Sequence, residues 1–185
     1  MSDGIKMELH RAEKIANKYI EVLSPYCEPG RCVVAGSVCR KKPEVGDLEI
    51  VCIPKLYETY NNELFGESIW ATHPGFVNEV NKLQKVKGEP TGKYTQRILP
   101  EGINLDLFMA NKDNWGYILA IRIGPDGYSK YLANTWKKNG FLGIDGDLTL
   151  NGEIIPVREE RDLFRIIGLE YVDPEYRMNI QGIGQ

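Results

Sequence analysis

Three acidic residues, Asp47, Glu49 and Asp106, and a Gly36-Ser37 turn ahead of them are the residues of this 185-residue chain best suited by type and spacing to chemistry. Arg31 to Ala35 is a short, largely apolar run ending in Gly36-Ser37, which reads as a buried strand feeding a tight turn. Such a turn can offer backbone N–H groups to a phosphate. The run from Asp47 to Ile53 alternates. A strand's period of two sets Leu48, Ile50 and Cys52 on one face and points Asp47 and Glu49 from the other. From Ile103 to Met109 the apolar set is Ile103, Leu105, Leu107 and Met109, so Asp106 lies on the opposite face of a strand that is otherwise hydrophobic.

If these strands are neighbours, three carboxylates share one small site. Each like-charge pair at about 4 Å would then cost on the order of 4 kcal/mol at an effective dielectric of 20. Divalent cations relieve that repulsion, and hard oxygen ligands favour magnesium or manganese over zinc. Two such ions roughly 3.5–4 Å apart activate an attacking hydroxyl and stabilise the leaving oxygen of an in-line phosphoryl displacement. Taken alone, an Asp-x-Glu pair is better read as the solvated face of a half-exposed strand.

The rest of the chain adds to the first reading. From about Ile5 to Arg177 the sequence resembles the palm and thumb of the DNA polymerase beta-like (X-family) polymerases, within the nucleotidyltransferase superfamily. The resemblance is carried by the Gly36-Ser37 turn with Arg40 after it, the Gly46-Asp47-Leu48-Glu49 and Leu105-Asp106-Leu107 strands, and a C-terminal stretch. In that stretch the family's thumb pattern matches Glu159, Glu160, Phe164, Gly168, Tyr171, Pro174 and Arg177. The resemblance implies an α+β fold: a nucleotidyltransferase palm with a mixed sheet and helices over 1–112, then a small α+β thumb over 113–185.

It also implies roles. Asp47 and Glu49 would bridge two Mg2+ or Mn2+ ions, with Asp106 on the catalytic ion, orienting an acceptor 3′-hydroxyl. Gly36, Ser37, Arg40 and Gly46 would contact the incoming nucleoside triphosphate, and Gly124, Asp126 and Ser129 match positions lining its sugar and base. The implied activity is nucleotidyl transfer to a DNA primer with pyrophosphate release, in gap-filling, repair-type synthesis on primer-template or gapped DNA. Transfer without a template to RNA, protein or a small molecule is the alternative, and a catalytically silent nucleotide-binding scaffold is another. The chain departs from the family in carrying Glu49 where Asp is usual, Arg122-Ile123 where an aromatic pair precedes the matching glycine, and Asn104 in place of an arginine.

Composition is that of an ordinary globular chain, 42% hydrophobic and 26% charged. No apolar run approaches membrane-spanning length. The charged N-terminal sequence has no apolar signal-peptide core, so a cytoplasmic protein is expected. The four cysteines form no Cys-x-x-Cys pair and read as reduced structural thiols, and His10 and His73 sit in unrelated segments. A net charge of −3 and a pI near 5.5 are unusual for a protein that grips nucleic acid through many phosphates. Weak affinity for DNA follows as an expectation, met by a protein partner if at all, with a monomeric chain. Basic residues do cluster: Arg40-Lys41-Lys42 follows the turn, and Lys82, Lys85, Lys87, Lys93 and Arg97 are opposed in their segment only by Glu89. Lys85, Lys87, Lys93 and Arg97 are candidates for a primer-backbone track, with a solvated helix face and hairpin as the equal alternative.

These residues need elements to position them. The spacing predicts a helix over Asp3 to Leu23 with the stripe Leu9, Ala12, Ala16, Tyr19 and Leu23, ended by Ser24-Pro25. Leu56 to Trp70 reads as a connection with helical pieces and Pro74 to Lys85 as a helix. Lys93 to Leu99 and Ile103 to Met109 read as an antiparallel pair. Beyond a boundary near Asn111 to Asn114 come a Trp115 to Ile123 segment, a Gly124-Pro125-Asp126-Gly127 turn, and a helix over Tyr128 to Asn139 stopped by Gly140. A hairpin turning at Asn151-Gly152 and a last helix follow.

Overall fold

Alternating strands and amphipathic helices assemble as the sequence pattern requires, with shifts at several boundaries. The computed structural model describes residues 6–60 and 68–177. A short β1 (Met7–Glu8) precedes α1 (Leu9–Leu23), followed by β2 (Cys27–Val34), α2 (Gly36–Cys39), β3 (Glu44–Val45) and β4 (Asp47–Pro54). Next come the ribbon strands β5 (Leu56–Tyr60) and β6 (Ser68–Thr72), α3 (Pro74–Asn81), β7 (Gln84–Gly88), β8 (Tyr94–Ile98) and β9 (Asn104–Met109). The C-terminal part holds α4 (Trp115–Ile123), α5 (Asp126–Lys138), β10 (Phe141–Ile144), β11 (Asp147–Leu150), β12 (Glu153–Ile154) and α6 (Glu160–Ile166). The fold is α+β with a mixed sheet, as expected. Among the described residues no helix is long and apolar enough to cross a membrane.

The main sheet runs β2-β4-β9-β8-β7, and in it only β4 and β9 pair in parallel. Period two gives this sheet two different faces. Leu48, Ile50, Cys52, Leu105 and Leu107 meet Ala12, Ile15, Ala16, Tyr19 and Leu23 of α1 and Phe76 and Val80 of α3 in one core. Burying each large aliphatic side chain there contributes roughly 1.5–3 kcal/mol. On the opposite face Val51, Ile53 and Phe108 pack against Ala35 and against Trp115 and Ile123 of α4. Both strands are therefore apolar on two faces toward their C-terminal ends, while the second face carries acids toward their N-terminal ends.

Four expectations shift. Helix α1 starts at Leu9, because Met7 is buried and pairs as a strand with Val45, and Glu8 pairs with Glu44; the start expected at Asp3 lies outside the described residues. Within Leu56 to Trp70 the described residues are extended, not helical: β5 and β6 form an antiparallel ribbon whose aromatic and β-branched residues suit it. Helix α3 ends at Asn81, and Gln84–Gly88 becomes the sheet's edge strand, bulged between Lys85 and Lys87. The turn after α4 is shorter than expected, since Asp126 already opens α5.

The C-terminal part has its own core, with Tyr117, Ala120, Leu132, Trp136, Leu148, Leu163 and Phe164 buried together. Gly116 is required where α4 passes the start of α6, because a Cβ there would lie 2.2 Å from the Glu159 carbonyl carbon and oxygen. The Asn151-Gly152 hairpin forms between β11 and β12 with both residues at positive φ. Asp145-Gly146 makes a second such turn, adding β10 to the sheet. The thumb-like motif proves to be a lock. The Arg177 Nη1 donates to Glu160 Oε1 at 2.6 Å, Tyr171 Oη donates to Glu160 Oε2 at 2.9 Å, and the guanidinium lies among the rings of Tyr128, Phe164 and Tyr171.

Candidate active site

The parallel pairing of β4 with β9 brings the three acids together. Glu49 is the direct partner of Asp106, and Asp47 is the partner of Asn104, so all three leave the same face of adjacent strands. Burial and then the Asp106 charge raise the pKa of Asp47. Glu49 is pushed up to about 7, chiefly by burial and then by Asp47, with Arg122 and Arg40 pulling it back. A site that resists its own negative charge in this way is chemically ready for a cation.

Each carboxylate is held differently. Asp106 Oδ1 accepts from Tyr94 Oη at 2.6 Å and from Gln96 Nε2 at 2.8 Å. Tyr94 and Gln96 are alternate residues of β8, and Gln96 is the register partner of Asp106, so strand periodicity alone aims both at it. The Tyr94 hydroxyl's pKa is raised, first by burial and then by the bond to Asp106. Glu49 folds back over the turn, where a Cβ on Gly36 would meet its Oε2 at 1.8 Å. Gly36 has φ +61, so its lack of a side chain serves both the backbone and its neighbour.

With these orientations, no three His, Cys, Asp and Glu side chains among the described residues form a group set to hold a metal ion. The donor set itself fits a hard divalent cation. All three candidates are carboxylates, and both hydrogen bonds to Asp106 fall on one oxygen. Asp47, Glu49 and Asp106 are the residues that would hold magnesium or manganese.

Above the acids, α2 begins at Gly36 and Ser37, and Ser37 Oγ is buried without a hydrogen-bond partner among the described residues, as is Arg40 Nε. Arg40 Nη1 donates to the Ile123 carbonyl at 2.5 Å, fastening α2 to the end of α4. Gly46 has open space around its Cβ position. Of the C-terminal candidates, Gly124 and Ser129 form the corner between α4 and α5, with Ser129 Oγ donating to the Ile121 carbonyl at 2.7 Å. Asp126 is exposed and ion-paired with Lys130 at 2.6 Å.

The basic track needs one correction. Arg97 is 0% exposed, bonded to the carbonyls of Val80, Lys87, Gly88 and Gln96, and cannot meet a phosphate backbone. Strand parity is the reason: Tyr94 and Gln96 face the acids, so Thr95 and Arg97 point to the other side. Lys85 pairs with Glu89. Lys87 Nζ lies 5.1 Å over the Tyr94 ring, one side chain away from Asp106. Lys93 Nζ donates to the Asp145 carbonyl at 2.6 Å, joining the sheet to the β10–β11 turn. Sequence reasoning missed Tyr94, Gln96 and Arg122 as site residues, though reading β8 with period two would have found the first two.

Residues 124–178 match the family model of the DNA polymerase beta thumb. No curated protein matches the sequence. Among solved structures, the polymerase beta of Leishmania infantum, in a ternary P/T complex, superposes with a TM-score of 0.67 at 15% identity, over 94% of this chain and 77% of that one. The family match covers the segment that Glu160 and Arg177 lock, the fold match runs on through the acid-bearing sheet, and α4 packs against both. Residues 124–178 are thus similar to a DNA polymerase beta thumb, and the fold of the chain is similar to that of a polymerase beta.

Proposed function

We propose that this protein is a metal-dependent nucleotidyltransferase that adds a deoxynucleotide to the 3′-hydroxyl of a DNA primer, in gap-filling synthesis. The observation that carries the reading is the register of Glu49 against Asp106, with Asp47 on the same face, beneath a turn whose buried Ser37 Oγ and Arg40 Nε have no hydrogen-bond partner among the described residues. In the reaction the primer 3′-oxygen forms a bond to the α-phosphorus, the bond from that phosphorus to the bridging oxygen breaks, and pyrophosphate leaves.

Asp47, Glu49 and Asp106 would hold two magnesium or manganese ions, which when bound supply Lewis-acid activation of the hydroxyl and neutralise developing charge. The chain's own groups do the positioning. Ser37, Arg40 and the backbone of the Gly36 turn bind the triphosphate, while Gly46 leaves it room. Tyr94 and Gln96 fix one oxygen of Asp106, so that its other oxygen is directed to the acceptor hydroxyl. Gly124, Asp126 and Ser129 form the corner beside which the sugar and base lie, and Lys85, Lys87 and Lys93 supply positive charge along the nucleic acid.

A second reading, untemplated transfer to RNA, protein or a small molecule, is favoured by the burial of Arg97, which removes one cation from an already acidic protein. A silent nucleotide-binding scaffold is favoured by the way Glu49 is folded against Gly36. Pyrophosphate release from each nucleoside triphosphate, with magnesium or manganese, separates the three across gapped duplex, single-stranded DNA, RNA and no acceptor. Template-directed release on the gapped duplex, abolished by Asp106→Ala, is the expected result. Release on another acceptor moves the substrate, and no release anywhere leaves the scaffold.

A further inference from the structure

We propose that Arg122 is a third donor, and the second cationic one, of the phosphate-binding turn, and that it lets the site take up a polyphosphate without a divalent cation. This rests on the reading of Gly36 to Arg40 as the turn that receives the triphosphate.

The Arg40 bond to the Ile123 carbonyl draws the last turn of α4 against α2, and Arg122 is the residue before Ile123. Its guanidinium lies 3.9 Å from the centroid of the Phe108 ring. The same ring carries Tyr94, 5.0 Å away, whose hydroxyl is bonded to Asp106. Stacking thus holds a cation at the edge of the acid cluster in a fixed orientation.

Arg122 Nε is buried and, among the described residues, has no acceptor. Arg40 Nε and Ser37 Oγ are in the same condition. Buried donors are nearly always satisfied, so three orphans on two contacting helices mark a place where an acceptor belongs. All three are donors and two carry full positive charge, which calls for an anion rich in acceptor oxygens. Arginine meets phosphate oxygens with short, charge-assisted bonds. The acids facing this group are Asp47, Glu49 and Asp106, and both arginines also act on Glu49 through space. An entering polyphosphate therefore shares the two arginines with Glu49.

The test is calorimetric titration of the full chain with inorganic tripolyphosphate and with pyrophosphate in EDTA. The wild type, Arg122→Leu and Arg122→Lys are compared, each first melted to establish that it is folded. The expected result is measurable binding by the wild type, weakened about tenfold to a hundredfold in Arg122→Leu, the range for loss of a hydrogen bond to a charged group. Arg122→Lys, which keeps charge without the planar fork, is expected to fall between. A folded Arg122→Leu that binds as tightly as the wild type overturns the proposal, as does a wild type that binds neither probe in EDTA. Pyrophosphate release on gapped DNA with magnesium is measured alongside. Binding in EDTA without turnover upholds the role of Arg122 and removes the polymerase reading, whereas turnover without such binding does the reverse.

Discussion

The Glu49 carboxylate occupies the space that a side chain on residue 36 would need: a Cβ there falls 1.8 Å from Glu49 Oε2. That glycine lies in the left-handed region, φ +61. Gly36→Ala is therefore expected to displace Glu49 and strain the backbone at once. The strained residue alone costs on the order of 1–3 kcal/mol. Loss of triphosphate binding together with a lower melting temperature is the expected outcome, read by calorimetry and thermal denaturation.

Glu49 also sets a pH dependence. Its folded-state pKa, about 7, lies above its ordinary value of 4.5, so between those pH values the unfolded chain has released a proton that the folded protein retains. Stability of the metal-free protein then falls as pH rises from about 4.5 to about 7 and levels off above, by an amount on the order of 2–3 kcal/mol. Glu49→Gln is expected to melt higher than the wild type at pH 8 in EDTA, with the gap closing toward pH 4.5. A gap that is independent of pH would assign the effect to packing.

Tyr94 and Gln96 reach no substrate in this reading; they position Asp106. Removing the hydroxyl in Tyr94→Phe is expected to lower nucleotidyl transfer by about 10–100-fold, as for other groups that orient a metal-ligating side chain. The melting temperature is expected to change little, and weakened Mn2+ binding in the absence of nucleotide is the separate readout that identifies positioning.

Lys87 and Arg97 separate surface charge from core. Lys87→Ala is expected to weaken DNA binding for all sequences alike and to reduce the salt slope of log K by about 1. Arg97→Ala is expected to leave that slope unchanged and to destabilise the fold, because a fully buried side chain and its hydrogen bonds to the carbonyls of Val80, Lys87, Gly88 and Gln96 are lost. Salt titrations of binding to one gapped duplex, with melts of each variant, decide it.

The Glu160–Arg177 pair closes the C-terminal part. Deleting either partner strands the other's charge in the interior, at a cost of roughly 3–5 kcal/mol. Arg177→Met and Glu160→Gln are each expected to show this loss. The double variant is expected to lose less than the sum of the two, and a double-mutant cycle measures the coupling.

Much of this was legible in the residues. Alternation over Asp47 to Ile53 and Ile103 to Met109 determined that the three acids oppose the core-facing aliphatics, since a strand has only two faces, and the spacing of Ala12, Ala16, Tyr19 and Leu23 determined the buried side of α1. The thumb motif and the Asn151-Gly152 turn were equally local. Asp145-Gly146 carries the same turn signal, for the β10–β11 hairpin. What local pattern could not supply is which strands lie side by side. Only the parallel pairing of β4 with β9 set Glu49 opposite Asp106, and only β8 beside β9 brought Tyr94 and Gln96 onto it. The same parity turned Arg97 inward, although its composition and neighbours suggested a surface cation. Met7 left its expected helix to pair with Val45, and Gln84–Gly88 left another to complete the sheet, because long-range pairing and burial outweigh local helix propensity. The identities of the acids came from the sequence; their meeting, and the arginines that face them, came from packing between residues that lie far apart along the chain.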